Sequence, residues 1–404
     1  MTLVVVGASL AGLRAVESAR RHGYSGRIVM IGAEPHPPYD RPPLSKAALS
    51  AGAGGGAQPF RTEAELRSVL GVEPMLGVWA DGLDTAAREI SAAGTTVRYD
   101  SAVIATGAAP RQLPGSQGVA GVHTLRTVDD AAAIRAAWDR GARTVVIGAG
   151  FVGSEVASAA RRRGVEVTLV DSQQAPLSRS VGTLVGAACI DLHRAAGTEL
   201  RLGTGVAGLE VAGGAVSGVR LATGEVLPAE LVVVGIGVTP ATAWLADSGI
   251  PLSERDGGVL CDETLATGVP GVYAAGDVAH VPNPLFDHEL MRPEHWTAAA
   301  EQGTAAARHA LDPDSAQALP AVPYFWSDWY GHRIQFVGTP LADEVVIATP
   351  ADTGLTALYR RADRLVGACT IDRPRVIMKY RRRIAQRAPW SEALEFAAGV
   401  ANPV

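Results

Sequence analysis

Two stretches of this 404-residue chain repeat one pattern about 140 residues apart, and that repeat restricts the fold more than any other feature. The first reads LVVVGASLAGLRAVESARRHGYSGRIVMIGAE and the second TVVIGAGFVGSEVASAARRRGVEVTLVDS. Each opens as a β-branched run, breaks at glycine, continues with helical spacing of Ala, Leu and Val, turns at glycine and resumes as a strand ending near an acid. That is the order of a βαβ unit, met twice. The length agrees, because 404 residues exceed one ordinary core and two or three domains are expected.

In the second copy Gly148, Gly150 and Gly153 complete a GxGxxG. The first glycine permits the tight turn, the second lets backbone approach a pyrophosphate, and the third lets the helix pack on its strand, with the helix N-terminus facing the anion. Asp171 closes the next strand, where a carboxylate holds a ribose 2′-hydroxyl and repels a 2′-phosphate. Like charges near 4 Å cost about 1 kcal/mol in water and about 4 kcal/mol at a surface dielectric, so NADH is expected over NADPH. Arg161, Arg162 and Arg163 precede that strand and are expected at the C-terminal end of the helix, where they complement its dipole. Arg179 is the one cation that could weaken the preference.

The first copy keeps Gly7 and Gly12 but has Ser9 in the middle position, and Ala33 precedes Glu34, its candidate ribose ligand. Taken alone, either copy could also be a glycine turn in a ligand-free α/β unit, a reading that is not negligible for the first. Two copies in one chain favour FAD plus a nicotinamide coenzyme.

Three more apolar runs stop at glycine, as strands of a parallel sheet do at a ligand-binding edge: SAVIATGAAPR (101–111), ELVVVGIGVTPAT (230–242) and GVYAAGDVAH (271–280). Asp277 in the last can cap a helix or bind a ribityl hydroxyl, and both readings stay open. From about residue 316 the texture changes to alternating strands, VPYFWSDWYGHRIQFVG and TALYRRADRLVGACTID, and a helix from PRVIMKYRRRIAQ. This predicts a further α+β domain.

The stretch PPYDRPPLSK, Pro37 to Lys46, must be extended or turned, since proline neither continues a helix nor donates to a ladder, and its preset course aims Arg41 and Lys46 at something. The glycine-rich run 50–59 is expected to be a surface turn: no strand precedes it and no GK[ST] closes it. Cys189, Cys261 and Cys369 are too scattered for a disulfide framework or a zinc site, so no metal is expected and a reducing, cytoplasmic setting fits. A net charge of −5 argues against general nucleic-acid binding, and no apolar run is long enough to span a bilayer.

In order along the chain, GASLAG, PYDRPPLSK, IATGA, LRTVDDA, VIGAGFVGSE, VGIGVTP, YAAGDVA, EHWTAAAEQG and YFWSD together resemble the FAD-dependent NADH:ferredoxin reductases of bacterial oxygenase systems, within the glutathione reductase-like flavoproteins. The resemblance implies an α/β fold with two Rossmann-like dinucleotide-binding domains and a C-terminal α+β domain: an FAD domain over 1–110 and 236–315, an NADH domain over 111–235, and the C-terminal domain over 316–404. It places Arg41, Lys46, Arg126, Asp277 and Trp296 at FAD, with Gly7, Ser9, Leu10, Ala11, Gly12, Glu34, Trp79, Ala105, Thr106, Gly107, Gly276, Glu294, His295 and Trp326. At NADH it places Gly148, Gly150, Phe151, Val152, Gly153, Glu155, Asp171, Arg179, Gly235, Ile236 and Gly237. Lys46 and Glu155 are implied as the catalytic pair, facing each other across the flavin, and a Lys–Glu pair removed from water would balance charge as the flavin is reduced. Trp329 departs from the pattern, standing where similar proteins often have Gln.

Disulfide reductases resembling this chain carry redox cysteines after the first βαβ unit, but residues 37–60 contain none. The implied route is therefore hydride from NADH to FAD and single electrons onward to an iron–sulfur ferredoxin, expected to be of the two-iron two-sulfur kind. Lys379, Arg381, Arg382, Arg383 and Arg387 could steer an acidic ferredoxin, and a solvated helix face is an equal reading. An NADH oxidase, a rubredoxin reductase and a flavin-based redox-sensing interaction protein are the alternatives.

Overall fold

The computed structural model describes residues 1–50, 57–350 and 354–401. Most of the 50–59 turn expected from sequence lies outside them. The chain forms two compact units. The first comprises Met1–Asp40, Gln58–Ala109 and Thr239–Pro323, and the second Arg41–Ala57, Pro110–Val238 and Tyr324–Val404.

The first unit is built on a five-stranded sheet in the order Val272–Ala274, Ser101–Ile104, Thr2–Val6, Arg27–Gly32, Val72–Leu76, parallel at every pairing. Its strands are near-continuous runs of buried Val, Ile and Leu, as a sheet covered on both faces requires. The helix Leu10–Arg21 packs against the helix Trp296–Leu311. Gly303 makes this possible, because a Cβ there would stand 2.2 Å from the Ala11 carbonyl oxygen. An antiparallel sheet of Ala80–Asp84, Glu89–Ala92 and Thr95–Arg98 completes this part of the unit.

The second unit repeats the arrangement, with parallel strands in the order Glu199–Leu202, Val167–Asp171, Thr144–Ile147, Leu231–Val234, Val122–His123. The helix Phe151–Arg162 follows Thr144–Ile147, and Arg161, Arg162 and Arg163 fall at its C-terminal end as expected. Thr127 and Asp130 form a reciprocal capping box on the helix Val128–Asp139. The texture change near residue 316 corresponds to a five-stranded antiparallel sheet, Tyr324–Trp329, His332–Gly338, Arg364–Ile371, Thr356–Arg361 and Glu344–Thr349, followed by the helices Pro374–Ala385 and Trp390–Ala401. The expected class, two parallel-sheet Rossmann-like regions plus a C-terminal α+β region, is the observed one.

Candidate functional site

The two glycine turns have the same construction. Gly7 and Gly148 sit at φ of 122° and 102°, where a side chain is strained, and a Cβ on either would meet the carbonyl oxygen of Ala105 at 2.0 Å or of Gly235 at 2.3 Å. A Cβ on Gly12 or Gly153 would stand 1.9 Å from the carbonyl oxygen of Gly7 or Gly148 respectively. Both positions are therefore closed by the protein itself.

The middle position differs. A Cβ on Gly150 would find nothing nearer than the Gly235 carbonyl oxygen at 4.0 Å, so the protein leaves open space in front of the helix. Gly150 and Ser9 are the N-cap residues of Phe151–Arg162 and Leu10–Arg21, and neither helix has an acidic residue in its first turn. The positive end of each dipole therefore faces its glycine turn, and the cradle fits a dinucleotide pyrophosphate.

Asp171 ends its strand beside the second turn. Its Oδ2 accepts from the Ala149 N–H at 2.6 Å and its Oδ1 from the Gln173 N–H at 2.7 Å, so backbone donors orient the carboxylate and leave lone pairs for a ribose hydroxyl. Arg179 is exposed in the first turn of Ser178–Ala195. Phe151 packs edge-on against Phe325 at 4.6 Å, Val152 is exposed, and Gly235, Ile236 and Gly237 follow the strand Leu231–Val234.

In the first unit, Tyr39 donates its hydroxyl proton to Glu34, and Trp296 Nε1 donates to Asp40 Oδ1 at 2.8 Å. Thr106 Oγ1 donates to the Ala241 carbonyl oxygen at 2.8 Å, between the buried Ala105 and Gly107 at φ 69°. Gly276 N–H donates to Gln302 Oε1 at 2.8 Å. No helix follows Asp277: the chain turns into the strand Ala279–Asn283, which removes the helix-cap reading. Arg292 instead holds this turn, donating to the Asp277 carbonyl oxygen at 2.9 Å while pairing with Asp256 at 3.0 Å and Glu294 at 2.6 Å. Burial holds the His295 imidazole down at about 4, against an opposing effect of Asp277. Trp79 is exposed.

In the PPYDRPPLSK stretch, Pro42–Ser45 forms a short 3-10 turn in the second unit, while Pro37 to Asp40 belong to the first. Arg41 Nη1 donates to the Arg126 carbonyl oxygen at 2.6 Å. Lys46 Nζ reaches Glu155 Oε2 at 2.7 Å, with Glu155 buried one turn into the helix that begins at Gly150. That contact corrects one expectation: groups 2.7 Å apart have no ring between them, so the pair does not flank the flavin. Two hydroxyls go unnoticed in the sequence although both lie inside its motifs. Ser45 donates to Glu155 Oε2, and Ser327 donates to Oε1 at 2.5 Å. Their signal is only a serine beside Lys46 and another in WSD, which no spacing rule singles out. Trp326 stacks on Tyr324 at 5.7 Å.

Residues 1–303 match the family model described as pyridine nucleotide-disulphide oxidoreductase, and residues 324–398 match the reductase C-terminal model. The chain belongs to the pyridine nucleotide-disulphide oxidoreductases. Among relatives in this family, rhodocoxin reductase of Rhodococcus erythropolis is 34% identical over 96% of this chain and 90% of its own length. The benzene 1,2-dioxygenase system ferredoxin–NAD(+) reductase subunit of Pseudomonas putida is 35% identical over 92% and 90%. The covalent putidaredoxin reductase–putidaredoxin complex superposes with a TM-score of 0.89 at 30% identity, covering 100% of this chain and 99% of that one.

The three cysteines of this chain are free and buried. Burial pushes the Cys189 and Cys261 thiols up to about 12 and the Cys369 thiol well above its ordinary value, so none is a thiolate nucleophile at neutral pH.

Proposed function

We propose that this chain is the NADH-dependent flavoprotein reductase of an oxygenase system, passing electrons from NADH through FAD to an iron–sulfur ferredoxin of the two-iron two-sulfur kind. The observation that carries the reading is the duplicated glycine turn opening a helix whose first turn has no acid, one in each unit of a member of this family. The first unit, from Gly7 to Gly12 with Glu34 and Asp277, holds FAD; the second, from Gly148 to Gly153 with Asp171, holds NADH. FAD held there would supply hydride acceptance and single-electron release, the conversion a two-electron donor and a one-electron acceptor require.

The protein supplies orientation and charge. Phe151–Arg162 presents its N-terminus to the pyrophosphate and, one turn on, Glu155 to Lys46, so one rigid helix fixes the coenzyme and the ion pair together. The pair acts at the reacting rings, where a half-buried ammonium beside a buried carboxylate balances charge without a mobile proton donor. Buried, unpaired cysteines support a reducing, cytoplasmic setting. No described helix is long and apolar enough to cross a membrane.

For the acceptor, Arg375, Lys379 and Arg382 are exposed on Pro374–Ala385, and Arg387 follows. Arg383 is instead engaged at 3.8 Å over the Phe396 ring. The exposed set is the proposed docking face for an acidic ferredoxin. Reversing Lys379 and Arg382 to Glu is expected to slow ferredoxin-dependent cytochrome c reduction at low salt and leave ferricyanide reduction intact. Loss of both activities would contradict docking there.

A further inference from the structure

The contacts of Glu155 continue into a buried corner of the second unit that coenzyme binding does not account for. Ser327 Oγ donates to Glu155 Oε1, and Trp329 Nε1 lies 2.7 Å from the same Ser327 oxygen. Neither Ser327 nor Trp329 has any exposed surface. An indole N–H can only donate, so it occupies the acceptor side of the serine and leaves the single hydroxyl proton for the carboxylate. Residue types alone thus fix the direction: Trp329 to Ser327, Ser327 to Glu155, with Lys46 on the other carboxylate oxygen.

The indole is itself held. Its ring lies 4.9 Å from the buried His193 ring, and His193 Nδ1 is 2.7 Å from the Tyr330 hydroxyl, which is 2.8 Å from Thr198 Oγ1. The Tyr330 N–H donates to Ser158 Oγ at 2.7 Å, tying the corner to the helix that carries Glu155.

We propose that Trp329, acting through Ser327, is a positioning residue for the Lys46–Glu155 pair. Without the indole donor the serine hydroxyl can turn to another acceptor, and a buried carboxylate oxygen loses its donor. The proposal rests on the reading of that pair given above, and its test separates the two.

Lys46 and Lys379 are the only lysines in the chain, so holoenzyme labelled with ε-13C lysine gives two side-chain signals. Trp329→Phe is expected to move the Lys46 signal and leave that of Lys379 in place. Ser327→Ala moves it in the same sense, the double variant moves it no further than Ser327→Ala alone, and Ser327→Thr, which keeps the hydroxyl, restores it. In anaerobic stopped flow, Trp329→Phe and Ser327→Ala each slow the limiting rate of flavin reduction about tenfold with the NADH dissociation constant unchanged. A Lys46 signal unmoved by Trp329→Phe, or shifts that add in the double variant, would overturn the proposal and leave Trp329 as packing. Should Trp329→Phe not fold, equal Lys46 signals in Ser327→Ala and Ser327→Thr would overturn it too. Glu155→Gln with undiminished flavin reduction defeats the underlying reading instead, while the lysine signals still judge the positioning.

Discussion

At the scale of single residues, charge and burial decide two outcomes. Asp171 is oriented by two backbone N–H groups beside the second glycine turn, so its charge is held at that turn. Asp171→Asn is expected to reduce the ratio of NADH to NADPH efficiency about tenfold or more, the scale of one like-charge repulsion removed. An unchanged ratio would move the discriminating group elsewhere. His193 has no exposed surface, and burial lowers its imidazole to about 4. Its folded value lies below its unfolded one, so its contribution is complete above about 6.5 and is lost as pH falls through about 4. Urea unfolding across that window should show the second unit losing on the order of 3 kcal/mol from this group. His193→Gln should flatten that slope, and an equally steep one would assign the pH dependence to other groups.

At the scale of elements, the two positions of one glycine turn separate folding from binding. Gly148→Ala combines a φ of 102° with a Cβ 2.3 Å from a backbone oxygen, and is expected to cost more than about 2 kcal/mol of stability. Gly150→Ala meets no protein atom nearer than 4.0 Å at an ordinary φ of −77°, and is expected to leave stability within about 1 kcal/mol while raising the KM for NADH. Thermal melts and NADH kinetics on both variants test this, and a Gly150→Ala enzyme with unchanged KM would contradict the cradle. These turns were legible in the sequence because steric demands at glycine are local. Asp277 was not, since a turn into a strand and a turn into a helix share the same few residues. Direct contact of Lys46 with Glu155, and the serines serving both carboxylate oxygens, depend on the course of Pro42–Ser45 and of Tyr324–Trp329, which no local pattern specifies.

At the scale of the whole molecule, two parallel sheets on separate units give one polypeptide two glycine turns of the same construction, and the cysteines lie buried in both units with thiols held protonated. The double βαβ pattern and the missing cysteines in 37–60 made that organisation readable, because each is a statement about residue type at a position. Which side chains surround the ion pair required three dimensions. The most direct measurement is an anaerobic titration of the FAD-loaded protein with NADH, followed by flavin absorbance. Full bleaching at one NADH per chain, with no further uptake, is the predicted result, since the flavin is the only group that stores an electron pair. Consumption of a second equivalent, or a flavin that NADH does not bleach, would contradict the account.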